Sequence, residues 1–405
     1  MKGAVADSSA PMMGTQTHRK SMRVLMGVPS AGATGGGPAL HLPMLVEDLR
    51  AAGIDVHTFA YGRWAEDEGR WRKVGHQIAD LARFPARLRR ARPDVLHLNS
   101  ALDRRALVRD TAFSLVAWAH GVPVLVKWHG GFVEILQERA SVWRAVAALF
   151  LRTTAAIAML STEERDAVTK RRPRLRCFVV SNGLDLARYV PRTDPRSQLG
   201  VPAGAALLLF ISRLIPTKGL LDLIEAMPEI VQKSGAHLVV VGDGPVAAPA
   251  KERVRAQGLV AHVHFMGAVS ETEALDYYRG CDLLVFPTFH PEGFPMAVFQ
   301  SLAAGMGIVA TRVRAIADHL REPDNVVFIP PRDPAALSRA VVKLLDEPDT
   351  LASMRAANLT LAKQFDRTRV SANFETIYEQ LRRRPPQPSY PRLPPGDPPK
   401  GMRDE

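Results

Sequence analysis

The chain has 405 residues, 46% hydrophobic and 23% charged, which is enough for two buried cores without help from disulfides or a structural metal. Lys and Arg outnumber Asp and Glu 53 to 41, and the excess lies wholly in residues 1–200, with 30 basic and 18 acidic residues against 23 of each in 201–405. The two cysteines, Cys177 and Cys281, sit inside apolar runs and exclude a disulfide framework or a cysteine zinc set, and no apolar run reaches the ~18–20 residues that span a bilayer.

Residues 1–20 are polar, lack the apolar core of a signal peptide, and are expected to be loose. A first series of short apolar runs follows: Val24–Val28, Ile54–Phe59, Asp94–Leu98, Pro123–Val126, Ala155–Leu160 and Cys177–Ser181. A second comprises Leu207–Ser212, His237–Val241, His262–Met266, Asp282–Phe286, Ile308–Thr311 and Val326–Ile329. Most are apolar throughout rather than alternating, as parallel strands buried on both faces are. The roughly 10–20 residues between them suit crossover helices. The expected fold is α/β, with two doubly wound Rossmann-like domains at 21–190 and 203–365. Three prolines and a glycine in Pro191–Pro202 mark the linker. Over 366–384, Val370, Phe374, Ile377, Tyr378 and Leu381 keep helical spacing. From 385 to 405, eight prolines in 21 residues predict a disordered tail.

The densest chemical signal is Asp282–Thr311, a buried strand leading through Thr288-Phe-His-Pro to Glu292-Gly293-Phe294-Pro295 and a helix from Met296. In open α/β sheets ligands bind beyond the carboxyl ends of strands. A helix N-terminus there carries about half a positive charge and free N–H groups suited to a diphosphate, and a nearby carboxylate can accept from sugar hydroxyls. Gln300 lies eight positions after Glu292. An ordinary βα turn with a solvent-facing Glu is the plain alternative. Arg213 and Lys218, on the Pro216/Gly219-shaped turn after Leu207–Ser212, form a candidate cationic clamp, a fork plus a point charge; two solvated loop cations are the alternative. Gly242 and Gly244 end the next strand and permit close backbone approach. In the first domain, Gly35, Gly36 and Gly37 form a turn that lacks the Lys-Ser/Thr of a P-loop. His129, after the strand ending at Val126, is a candidate to face an interdomain cleft and hydrogen-bond a sugar hydroxyl; a histidine merely satisfied in place is the plain alternative. No Asp-x-Asp follows a strand end in the manner of divalent-metal transferases, and aromatics, 6% of the chain, are too few for base-stacking platforms, which argues against nucleic acid.

In this order and spacing the Gly35–Gly37 turn, His129-Gly130, Val180-Ser-Asn182-Gly183-Leu-Asp185, Arg213 with Lys218-Gly219, Gly242-Asp-Gly-Pro245, the Cys281–Thr311 block and the closing helix resemble the family 4 glycosyltransferases of the GT-B fold, over roughly 22–383. The resemblance implies two Rossmann-like domains facing a cleft, with the last helix returning to the first. It implies a metal-independent, retaining transfer of a sugar from a nucleotide-diphosphate donor to a hydroxyl of a glycan or lipid-linked acceptor, with no cofactor. In that pattern Arg213 and Lys218 neutralise the donor diphosphate, and Glu292 hydrogen-bonds the donor sugar within a motif that also holds Gly293, Phe294 and Pro295. Gln300 faces the ribose, His129 the transferring sugar, and Gly36 and Gly37 the diphosphate. Three departures stand out: Gln300 for the usual second Glu, Gly307 for a frequent Pro, and Thr311-Arg312-Val-Arg314-Ala for a Gly-rich turn, its arginines candidates for phosphate or acceptor contacts. The basic first half suits an anionic membrane surface, so a cytoplasmic protein, peripheral on the inner face of the plasma membrane, is expected. A nucleotide-sugar epimerase or hydrolase of the same fold, and a non-catalytic nucleotide-sugar binder, are the alternatives.

Overall fold

The computed structural model describes residues 21–29, 37–61, 70–137, 142–189 and 194–383. The expected loose N-terminus, Pro-rich tail, Gly35, Gly36 and the first linker residues lie outside these. Twelve strands occur where the apolar runs predict them: β1 Arg23–Val28, β2 Asp55–Ala60, β3 Val95–Leu102, β4 Val124–Gly131, β5 Ala156–Met159, β6 Arg176–Val179, β7 Leu207–Ile211, β8 His237–Val241, β9 Val263–Gly267, β10 Leu283–Phe286, β11 Gly307–Thr311 and β12 Val327–Ile329. They form two all-parallel sheets, ordered β2-β1-β3-β4-β5-β6 and β12-β11-β10-β7-β8-β9. Each sheet is buried on both faces under helices, so its strands carry Val, Leu and Ile on both sides.

Strand order reverses between β7 and β10 in the second sheet. At such a switch point the loops leave in opposite directions and open a crevice. The loops there carry Arg213 and Lys218 from β7 and Glu292 from β10. In the first sheet β4 is longer than expected. It continues beside β3 past an irregularity at Ser100/Leu102, so that Leu102 pairs with Gly131 and His129 lies within the strand rather than after it.

The closing helix, Arg367–Arg383, returns to the first sheet. Val370, Phe374, Ile377, Tyr378 and Leu381 are buried with Val24, Met26 and Leu45, and the Tyr378 hydroxyl lies 2.6 Å from His97 Nδ1. Each such side chain is worth about 2 kcal/mol of apolar burial. Arg367 adds a fork to Asp48, Nε lying 2.9 Å from both carboxylate oxygens. The two lobes are thus stitched by the chain's last helix.

Gly242 fixes the floor of the crevice. Its φ is +129°, and a Cβ there would overlap the Ser212 carbonyl oxygen. Gly244 packs in the same way against the Leu214 backbone, beside the hydrogen bond from Leu214 N to Asp243 O, 2.8 Å. These glycines seat the β7 loop on the β8 loop. Gly242→Ala is expected to destabilise the protein by about 3 kcal/mol, since neither overlapping group is a flexible side chain. Thermal unfolding of the variant checks this, and an unchanged midpoint would contradict it.

Candidate active site

Two loops of the second sheet are tied together at its switch point. Phe289 N donates to Thr217 O at 2.9 Å, His290 Nδ1 lies 3.1 Å from Thr217 Oγ1, and His290 N donates to Thr288 Oγ1 at 3.2 Å. Within this frame the Lys218 ammonium is in contact with the Glu292 carboxylate, their side chains only 8% and 16% exposed. Burial, and then the charge of neighbouring Arg213, push Lys218 down to about 8 from the ordinary 10.5; the adjoining carboxylate opposes them. Arg213 itself is exposed. The turn that presents Lys218 is a single 3₁₀ turn, Pro216–Lys218, closed by Gly219 with φ +78°. The helix Met296–Ala303 begins at Pro295, which makes no side-chain cap; Val298 N donates to Pro295 O at 3.0 Å, so the N–H groups of Met296 and Ala297 are the ones placed for an anion.

The first lobe meets this loop directly. A Cβ on Gly293 would come within 2.8 Å of the Gly130 Cα, so the two backbones approach as closely as only glycines allow. His129 is one residue before that contact. Its Nε2 lies 2.9 Å from Asn99 Oδ1, while Asn99 Nδ2 donates to Gly27 O at 2.9 Å. The amide orientation makes Asn99 Oδ1 an acceptor, so His129 carries its proton on Nε2 and leaves Nδ1, buried and without a partner among the described residues, as a lone-pair acceptor. Burial, then the charges of Lys127, His41 and His97, hold its pKa well below the usual range, so it is neutral.

One residue that the sequence marked as a candidate for phosphate or acceptor contacts turns elsewhere. Arg314, with its side chain 5% exposed, donates from Nη1 to Gly131 O at 2.8 Å and to Pro291 O at 3.4 Å. It joins the strand end of one lobe to the sugar-side loop of the other.

The chain that carries this arrangement is similar to known proteins over most of its length. A model described as "Glycosyltransferase Family 4" matches residues 35–188, and one described as "Glycosyl transferases group 1" matches 205–347. The chain belongs to the family 4 glycosyltransferases. The glycogen synthase of Mycobacterium tuberculosis is 28% identical over 363 residues, 85% of this chain and 82% of that protein. The putative teichuronic acid biosynthesis glycosyltransferase TuaC of Bacillus subtilis is 24% identical over 297 residues, 72% and 71% of the two chains. Among solved structures, Anabaena Alr3699/HepE in complex with UDP superposes with a TM-score of 0.70 at 19% identity, covering 89% of this chain and 100% of that one. The fold is GT-B.

Within this glycosyltransferase the expected site residues divide into two groups. Lys218, Glu292, Gly293, Pro295 and His129 converge on the lobe contact, with Arg213 beside Lys218; Gly37 opens the helix Gly37–Ala51 after the first strand. Gly242 and Gly244 pack loop on loop instead of offering an open backbone to a ligand. The Phe294 ring is a core group, stacked on Phe299 with centroids 3.6 Å apart. Gln300 is buried, and its carbonyl oxygen accepts from the Tyr278 hydroxyl at 3.0 Å, which takes up one of that oxygen's two lone pairs. A neutral amide tolerates this buried position under an aromatic hydroxyl; a carboxylate there would need a charge partner.

Proposed function

We propose that this glycosyltransferase moves a hexosyl-type sugar from a nucleotide-diphosphate donor to a hydroxyl of a glycan or lipid-linked acceptor, without a metal and with retention at the anomeric carbon. The observation that carries the reading is the Lys218–Glu292 contact at the switch point, with Arg213 beside it and His129–Gly131 across the cleft. As the anomeric C–O bond breaks, negative charge gathers on the leaving diphosphate. Lys218 and the N–H groups of Met296 and Ala297 receive it, already oriented and partly shielded from water, and the exposed Arg213 adds its charge from beside Lys218. Glu292 exchanges its ion pair for hydroxyls of the donor sugar, and the neutral His129 offers Nδ1 to a further hydroxyl. The UDP complex of the Anabaena protein supports a nucleotide donor, and the teichuronic acid relative supports a place in glycan assembly.

The acceptor side is the first lobe. A cavity of about 500 Å³, lined by Asp103, Arg104, Arg105, Phe132 and Ile135, adjoins Gly131. The helix Arg70–Ala91 exposes Arg72, Arg83, Arg89 and Arg90 while burying Phe84 and Leu88, a cationic face suited to anionic lipid on the cytoplasmic side. Among the described residues no helix is long and apolar enough to cross a membrane.

A thermal-shift screen of nucleoside diphosphates and nucleotide sugars tests the donor half. A ligand at 100 times its Kd stabilises by about 2.7 kcal/mol, and silence across UDP, GDP, ADP and their sugars would end the proposal. Pelleting with phosphatidylglycerol vesicles tests the surface. Binding at low salt that is lost at high salt is expected, and no binding at low salt points to a soluble acceptor.

A further inference from the structure

We propose that Arg314 is a positioning residue of the transfer reaction, which sets the Glu292 loop against the His129–Gly131 strand end by holding a carbonyl from each lobe. This rests on the glycosyltransferase reading above. The Pro291 carbonyl directly precedes Glu292, and the Gly131 carbonyl is two residues beyond His129. One guanidinium nitrogen touches both, at 3.4 and 2.8 Å. The separation of the sugar carboxylate from the opposite imidazole is therefore fixed by a single planar group.

The guanidinium is itself anchored on the first lobe. Its Nε donates to Glu163 at 3.2 Å, and Nη1 lies 3.8 Å from Glu164. Glu164 is rigid, since its other oxygen accepts from Leu160 N at 2.9 Å and Ser161 N at 3.2 Å in a capping box. One helical turn after Arg314, Asp318 reaches the same helix with the opposite charge. It accepts from Thr162 N at 2.7 Å and Thr162 Oγ1 at 2.6 Å, at the positive end of the helix Thr162–Arg171. Arg314 and Asp318 thus form a two-point latch, cation to carboxylates and carboxylate to helix N-terminus.

The backbone gives independent support. Arg314 has φ +29°, a left-handed conformation that a non-glycine residue adopts only when its surroundings hold it there. Glycine would sit there without strain, yet the chain carries the residue whose fork makes the cross-lobe bonds.

That strain supplies the test. Arg314→Gly removes the guanidinium while relaxing the backbone, and Arg314→Lys keeps the charge without the fork; because Arg314→Gly also strips the buried Glu164 carboxylate of its nearby cation, circular dichroism and thermal unfolding confirm that each variant is folded at the assay temperature. Three quantities are read: affinity for the nucleoside diphosphate (UDP, GDP or ADP) that shifts wild-type melting most, kcat on its nucleotide sugar, and the interlobe distance. The last comes from spin labels at exposed Ala119→Cys and Gln257→Cys in a Cys177→Ala background. We expect diphosphate affinity within twofold of wild type, because Arg213 and Lys218 are untouched. We expect kcat to fall at least tenfold in Arg314→Gly and less in Arg314→Lys, as misplacement of a reacting group costs rate rather than ground-state binding. The interlobe distribution should broaden. A kcat within twofold of wild type in Arg314→Gly overturns the proposal, whatever the distances do. Should the wild-type protein turn over no nucleotide sugar, the transferase reading fails, and an unchanged distance distribution in Arg314→Gly would still reject the latch by itself.

Discussion

Replacing Arg213 or Lys218 by alanine is expected to cut kcat by about 10²–10³, the usual effect of removing one pre-organised donor to developing negative charge. The two variants should reach that loss differently. Arg213 is exposed, so its removal leaves the fold and the Lys218–Glu292 contact in place and takes away only one partner of the leaving diphosphate. Lys218 is buried against Glu292, so Lys218→Ala also leaves that carboxylate without its counter-charge. The Glu292 side chain then loses the partner that holds it in place, and binding of the donor sugar should weaken along with turnover. Arg213→Ala is therefore expected to lower kcat with KM nearly unchanged, and Lys218→Ala to lower kcat and raise KM. Steady-state kinetics on the donor found in the thermal-shift screen, with circular dichroism as the fold control, measures both. Near-wild-type turnover in the two variants would remove the cationic clamp and with it the proposed chemistry.

The sequence revealed whatever depends on short range. Most of the strands were legible because a parallel strand covered on both faces must be apolar along its length, and Leu207–Ile211 or His237–Val241 can hardly read otherwise; the edge strand Asp55–Ala60, half exposed, was legible from its β-branched and aromatic residues. The clamp was legible because Arg213, Lys218 and Glu292 each follow a strand of the same sheet, and the ends of neighbouring strands are necessarily close. What depends on the relation of the two lobes was not legible. Gly131 and Arg314 are 183 positions apart, and no periodicity encodes how one sheet is set against the other. The departure at Thr311–Ala315 marked Arg314 as unusual but pointed to phosphate or acceptor; the structure turns it to the opposite lobe. The packing of the Phe294 and Gln300 side chains was not legible for a related reason. A motif places residues along the chain, but helical rotation decides which face each one takes, and here it sends the Phe294 ring to Phe299 and the Gln300 amide to Tyr278. His41 went unnoticed because its partner, Gly183 N at 2.9 Å, is 142 positions away, just past the strand Arg176–Val179. That bond leaves Nε2 as the protonated nitrogen, buried 6.3 Å, ring centre to ring centre, from His129.

Lys218 also sets the expected pH dependence. An ammonium is needed to meet the diphosphate, and burial with Arg213 nearby brings its pKa to about 8. Activity should therefore fall as pH rises through that value, where an ordinary surface lysine would hold its charge for two further pH units. The profile of kcat/KM reports the free enzyme, so it is expected to lose about tenfold per unit above pH 8. Once the donor is bound, its phosphates add negative charge around the ammonium and raise its pKa, and the descending limb of kcat should move to higher pH. That displacement separates Lys218 from a group remote from the diphosphate, whose limb would stay put on binding. The histidines do not produce this limb: His129 lies well below its usual range and His290 is lowered too, so both remain neutral across the interval. Lys218→Arg provides the control, because a guanidinium stays protonated throughout. The variant is expected to be slower, its fork being the wrong shape for the Lys218 position, but flat above pH 8. A limb that persists in Lys218→Arg would assign the titration to another group, and a wild-type profile flat to pH 10 would show that Glu292 holds the ammonium more strongly than burial and Arg213 oppose it.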